Sequence, residues 1–200
     1  MTHEPRIRPM RDSDADFFTE AERAQGWYTE QEKFFLRLRD QAEGQAVALV
    51  AECDGETAGY IHVHPDAQEG LLAGRAWPEI VDFAVLGRFR GCGIGGKLMD
   101  AAETIAARYA DTVYLGVGLH SGYGAAQRMV IRRDYVPDGS GVWYGNQPCP
   151  PYAPLPQQQR PGAGSVQAAG RAAGGAVAVK MCRSRTFLPA EARAAGLTCV

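Results

Sequence analysis

The sequence predicts an α/β fold of the mixed, α+β kind, and three features predict it. An apolar run at 80–86, broken only by Asp82, leads into a turn holding four glycines and then into a helical pattern. Two β-rich runs, 46–53 and 57–64, are joined by Asp54-Gly55, a pair suited to the positive φ of a tight hairpin turn. Two amphipathic helical patterns stand ahead of that hairpin.

The elements follow in order. Residues 6–10 read as a short first strand. Asp12, Ser13 or Asp14 can cap a helix over 15–25, with Phe17, Phe18, Ala21 and Ala24 on its apolar face. A second helix fits 30–43, with Phe34, Phe35, Leu38 and Gln41 facing inward and Gly44 ending it. In the hairpin's second strand His62 and His64 alternate onto one face. A metal reading lacks a third ligand at close spacing, so a solvated or satisfied sheet face is expected. The helix after the glycines has Leu98, Ala101, Ala102 and Ile105 on one face. Residues 112–119 read as a strand weakened by Gly116 and Gly118, which could admit a ligand close to the backbone. A helix over 123–133 follows. The run from Tyr135 to Gly139 has turn chemistry, and 141–146 suggests a strand carrying Trp143 and Tyr144.

The end of the chain differs in composition. Residues 157–200 hold six Lys/Arg and one acid, Glu191, whereas the preceding 156 hold 15 bases and 22 acids, so a net −7 gives way to +5. Few large apolar residues occur there, so little burial and poor order are expected, with 175–182 the one strand-like run. The expected organisation is a domain at 5–155 and an atypical tail at 156–200, with the native ending replaced.

Bulk properties narrow the function. A net charge of −2 favours neither nucleic acid nor an anionic membrane. Five cysteines are an odd number at spacings that fit neither a disulfide framework nor a zinc site, which points to a reducing compartment. No apolar leader or span is evident, and a cytoplasmic location is expected.

The glycines carry three overlapping patterns. Gly91-x-Gly93-x-x-Gly96 fits a dinucleotide fingerprint, but that motif opens its domain directly after a first strand, and here several elements precede it. Gly91-x-x-x-x-Gly96-Lys97 nearly fits a triphosphate loop, but Leu98 stands where a Mg²⁺-binding hydroxyl belongs. The third is Arg90-x-x-Gly93-x-Gly95 between a strand and a long helix. With it the chain resembles the GNAT superfamily of acyl-CoA-dependent N-acetyltransferases, over 79–107 and more weakly over 6–152.

That resemblance implies a mixed, mainly antiparallel twisted sheet with splayed central strands flanked by helices. It implies acetyl-CoA as co-substrate, no metal, and transfer of the acetyl group to a primary amine on a small molecule or a protein. A homodimer is compatible with it. Backbone groups of Phe83, Ala84 and Val85 would meet the pantetheine arm. Arg90, Gly91, Cys92, Gly93, Ile94, Gly95, Gly96 and Lys97 would meet the pyrophosphate, Cys92 through its backbone rather than as a nucleophile. Lys97 would touch a phosphate or stay solvated.

Glu79 would be the base that takes the amine's proton, as in the histone-acetylating branch. Asp82 is the second choice; three residues on, it points to the opposite face of a regular strand. The tyrosine many relatives use as general acid is Val130 here, and Asp134 stands where they have glycine. The thiolate's proton would then come from Tyr123, Tyr144, water or the amine. The alternative is a non-catalytic acyl-CoA-binding or sensing module. Trp27 and Tyr28, between the first two helices, are candidate acceptor contacts or plain aromatic packing.

Overall fold

A computed structural model describes residues 4–66, 74, 76–144, 147–152 and 178–184. These fall into two compact units: the described residues up to 113, and those from 114 onward.

In the first unit the strands run in the order β1 (Arg6–Pro9), β2 (Val47–Cys53), β3 (Glu56–His64) and β4 (Glu79–Val85), each antiparallel to the next. Asp54 and Gly55 both take positive φ, 53° and 80°, and close the β2–β3 hairpin as expected from their sequence. Helix α1 (Asp12–Ala24) starts earlier than its apolar pattern, because Asp14 sits in the third helical position and accepts the Arg11 N–H at 2.7 Å, half of a capping box. The same carboxylate takes Arg8 at 2.6 Å, and Arg8 also reaches Glu52 at 2.5 Å, tying α1 to β1 and β2. Helix α2 (Gln31–Ala42) ends at Gly44, whose φ is +72°.

Phe18 of α1, Phe34 of α2 and Tyr60 of β3 form the aromatic centre of this unit's core, with ring centroids 4.7–5.8 Å apart. The inward faces differ from the expected ones. Glu22 is buried where α1 was to bury Ala24, which is exposed, and α2 buries Asp40 while Phe35 lies 41% exposed. Gln41 faces inward as a bridge: its amide donates to Met10 O at 3.1 Å and accepts Ala48 N–H at 3.1 Å.

Helix α3 (Ile94–Ala106) packs on the other sheet face through Ile94, Leu98, Met99, Ala102 and Ala106, leaving Ala101 and Ile105 half-buried. It approaches β3 at Gly59, where a Cβ would lie 2.6 Å from Ala84 O and 3.3 Å from the Leu98 side chain.

The second unit contains most of β5 (Thr112–Gly118), then α4 (Gly124–Arg132), β6 (Val136–Tyr144), β7 (Gln147–Pro148) and β8 (Ala178–Ser184), with strand order β5-β8-β6-β7. The run beginning at Tyr135 does not form a turn between elements. From Val136 it is strand, and its turn chemistry is used inside β6. Pro137 pairs with Met181 and Val142 with Val179, so the residues between them bow out of the ladder. Gly139 and Gly141 take φ of +82°, and Asp138 accepts Ser140 N–H at 2.9 Å. The strand-like run near the end becomes β8, antiparallel to β6; the rest of the tail lies outside the described residues.

Candidate functional site

Strand β4 is irregular at the point that matters. Tyr60 pairs with Ala84 and His62 with Val81, so Asp82 and Phe83 together oppose Ile61, and Asp82 takes a φ of +47°. This bulge overturns the expectation that Glu79 and Asp82 face opposite ways. Glu79 pairs with His64, and Asp82 reaches His62, so both acids share the face that carries Tyr60, His62 and His64.

After β4 comes a 3₁₀ turn, Gly87–Phe89, and then the glycine-rich turn into α3. Gly91 and Gly93 have φ of +81° and +79°, conformations that penalise any side chain. Arg90 N–H bonds back to Gly87 O at 3.2 Å, and Lys97 N–H to Gly93 O at 3.2 Å. Between them, the N–H groups of residues 91–96 have no acceptor among the described residues. A Cβ on Gly91, Gly93 or Gly96 would meet nothing within 4 Å. The result is an open cradle of main-chain donors at the positive end of a 13-residue helix.

Side chains frame the cradle without filling it. Arg90 lies over the Trp27 ring at 5.2 Å and donates to Val85 O at 3.3 Å. Gln25 Oε1 accepts Gly87 N–H at 2.6 Å. The α1–α2 connection is thus tied to the turn at two points. Trp27 packs under an arginine. Tyr28 is 69% exposed and hydrogen-bonded to Glu30. Cys92 is exposed, with Sγ 3.8 Å from Arg90 O. The Lys97 ammonium is held by Glu4 at 2.6 Å on the surface.

Behind β4 lies a buried polar row that sequence reasoning did not assemble. Arg37 Nε donates to Asp82 Oδ2 at 2.6 Å, and Arg37 Nη1 stands 3.1 Å from His64 Nε2 and 3.6 Å from Asp40 Oδ2. His62 is fully buried against Tyr60, its Nδ1 3.5 Å from Asp82 Oδ2 and neither ring nitrogen in an ordinary hydrogen bond. Further along, Glu22 accepts from the Tyr60 hydroxyl and pairs with Lys33 at 3.3 Å.

Burial pushes the His62 imidazole below its usual range, against the pull of Asp82. Burial and then Arg37 push His64 down to about 4. Burial works against the Asp82 carboxylate, but His62 and Arg37 beside it prevail and hold it well below the usual carboxylate range. Among the described residues no group of three or more His, Cys, Asp or Glu is placed to hold a metal.

In the second unit Tyr123 is 37% exposed and stands edge-on to His120 at 4.7 Å. Its ring lies where a Cβ on Gly118 would come within 2.5 Å, so the space beside Gly118 belongs to Tyr123 and not to a ligand. At Gly116 the neighbour is Lys180. Tyr144 is half-buried and pairs with Gln147. Val130 is buried in α4, and its carbonyl accepts Tyr135 N–H at 3.1 Å.

The Acetyltransferase (GNAT) family model matches residues 7–128, more than half of the chain. No curated protein sequence matches. Solved structures share the fold at low identity. The PaiA N-acetyltransferase of Thermoplasma acidophilum, in complex with coenzyme A, is 14% identical over 91% of this chain and 99% of its own, with a TM-score of 0.57. YncA of Salmonella typhimurium, with its cofactor acetyl-CoA, is 14% identical over 94% and 98%, at 0.60. The ribosomal-protein-S18-alanine N-acetyltransferase of Escherichia coli is 13% identical over 94% and 97%, at 0.59. The mixed, mostly antiparallel sheet with helices matches the fold of these structures, and the family model shows that the chain belongs to the GNAT acetyltransferase family.

Proposed function

We propose that this chain is an acetyl-CoA-dependent N-acetyltransferase acting on a primary amine. One observation carries the reading: the open row of unpartnered N–H groups at residues 91–96, at the start of α3. Such a cradle suits a diphosphate, because the donors are already oriented, the helix end is positive, and no Cβ obstructs approach. Arg90, Gly91, Cys92, Gly93, Ile94, Gly95, Gly96 and Lys97 would hold the pyrophosphate, and the main chain of Phe83, Ala84 and Val85 the pantetheine arm. Lys97 would have to exchange Glu4 for phosphate. Coenzyme A structures among the fold relatives support this assignment.

When bound, acetyl-CoA supplies an activated thioester, so orientation accounts for much of the rate. The chain's own task is to hold the acetyl group, exclude water and receive the amine's proton. Glu79 is the proton acceptor in this reading, with Tyr123 or Tyr144 protonating the departing thiolate. The acceptor is a small-molecule or protein amine, met near Trp27 and Tyr28. The domain at 5–155 carries the activity in the cytoplasm, without nucleic acid or membrane, and as a monomer or homodimer.

The test is calorimetric titration with acetyl-CoA, NAD and ATP, followed by coenzyme A release over a panel of amines. Acetyl-CoA alone should bind, and a subset of amines should release coenzyme A. Absence of acetyl-CoA binding ends the proposal. A second reading, an acyl-CoA sensor without turnover, is favoured by Val130: it is buried and has no hydroxyl where the family's acid would stand. Tight binding with no release over the whole panel supports the sensor.

A further inference from the structure

Asp82 holds a left-handed conformation in the middle of a strand. The other non-glycine residues with positive φ among those described, Asp54, Ala76, Asp134 and Tyr152, lie between elements. A non-glycine residue in this region is strained unless its surroundings hold it there. The surroundings here are specific. Arg37 donates to Asp82 Oδ2 at 2.6 Å from α2, and the buried His62 stands 3.5 Å from the same oxygen. Both partners of the ion pair are largely shielded, with side chains 13% and 8% exposed.

The consequence falls on the next three residues. Alternate residues of a strand direct their N–H and C=O groups to opposite edges, just as their side chains alternate between faces. One extra residue at Asp82 and Phe83 therefore reverses, for 83–85, which main-chain groups face β3 and which face away from it. If the bulge slipped out, the side of 83–85 away from β3 would present the complementary set of donors and acceptors.

We propose that Arg37 is a positioning residue: by clamping Asp82 in its left-handed bulge, it fixes the main-chain pattern that residues 83–85 offer to the pantetheine amides of acyl-CoA. This rests on the acyl-CoA reading above. In this role Arg37 acts through Asp82 rather than on the acyl donor itself. His62, His64 and Asp40 complete the surroundings of the pair.

The experiment compares full-length wild type with Asp82→Ala, Asp82→Gly, Arg37→Met, Arg37→Lys and the Arg37→Met/Asp82→Gly pair. Glycine takes positive φ without strain, so it keeps the bulge accessible without a clamp. Acetyl-CoA affinity by calorimetry should fall on the order of tenfold or more in Asp82→Ala and Arg37→Met, and only about threefold in Asp82→Gly, as strain energies of this size imply. The double variant should bind like Asp82→Gly, and Arg37→Lys should recover part of the loss.

A ligand-free readout stands beside it. Amide hydrogen exchange of residues 83–85 should change in Arg37→Met and return toward wild type in the double variant. Exchange unchanged in Arg37→Met overturns the clamp even if acetyl-CoA never binds, so failure of the clamp and failure of the acyl-CoA reading are told apart. A double variant that binds as weakly as Arg37→Met also overturns it. So does Asp82→Gly that binds like wild type yet loses turnover with an altered pH profile, since Asp82 would then be handling protons.

Discussion

Two parts of the first unit, joined by only a few residues, are built on opposite terms. The turn at 91–96 works by what it leaves out: no side chain fills it, and its N–H groups have no acceptor among the described residues. The bulge at Asp82 works by what surrounds it: an arginine, two histidines and a second carboxylate fix one strained residue. Substitutions in the turn should therefore change binding with little change in folding. Substitutions behind the bulge should change both.

The sharpest contrast is expected from Arg37→Met. Removing one partner of a shielded ion pair leaves the Asp82 charge uncompensated and should cost about 3 kcal/mol of stability, read as a lower urea midpoint. Gly93→Val sits on the other side of the comparison. Non-glycine residues pay about 1–2 kcal/mol for the left-handed region, so its stability loss should be smaller. Its acetyl-CoA affinity should nevertheless fall the most of any turn variant. If Gly93→Val unfolds the protein while Arg37→Met leaves its stability intact, the comparison is reversed.

Acid should also separate the two regions. His62 and His64 titrate lower in the folded protein than in the unfolded chain. The unfolded chain therefore takes up protons first, and stability should decline as pH falls below about 6.5, the unfolded histidine value. For His64 the decline ends near 4. Asp82, also depressed, adds a further loss below about 4, where unfolded carboxylates protonate. His64→Gln should flatten the upper part of this slope in urea melts from pH 7.5 to 4.5. A turn variant such as Gly93→Val should leave the slope as it is. The smallest effect belongs to Lys97→Ala. Its pair with Glu4 is exposed and screened, so the melting temperature should not move. Acetyl-CoA affinity should lose some of its salt dependence.

The same contrast explains what could be read in advance. The turn was legible because its function is conformational, and glycine advertises conformation. Positions 91, 93, 95 and 96 could be placed without knowing any neighbour. The hairpin at Asp54-Gly55 was legible for the same reason. Asp82 looked like a break in an apolar run, and simple alternation put it on the wrong face. The bulge that turns it round depends on Arg37, which lies far away in sequence and which no motif singles out. Glu22 and Asp40 were missed likewise: helical periodicity assigns acids to solvent, whereas here Tyr60 and Lys33 meet one and Arg37 the other. Of the left-handed glycines, Gly139 was visible as a turn residue, whereas Gly141 read as the start of a strand. That they serve a bow within one strand follows from β8, a partner that arrives much later in the chain.

That late partner has a consequence for how the protein is made. Val136 pairs with Cys182 and Trp143 with Ala178, so the ladder between β6 and β8 joins segments synthesised far apart. While a ribosome is still producing the intervening residues, β6 has a free flank that can be held only by other means. Pairings across long sequence separations form slowly, and an unsatisfied strand edge invites association with other chains. The vulnerable moment for this molecule should thus come late in translation, after its anion cradle is already complete.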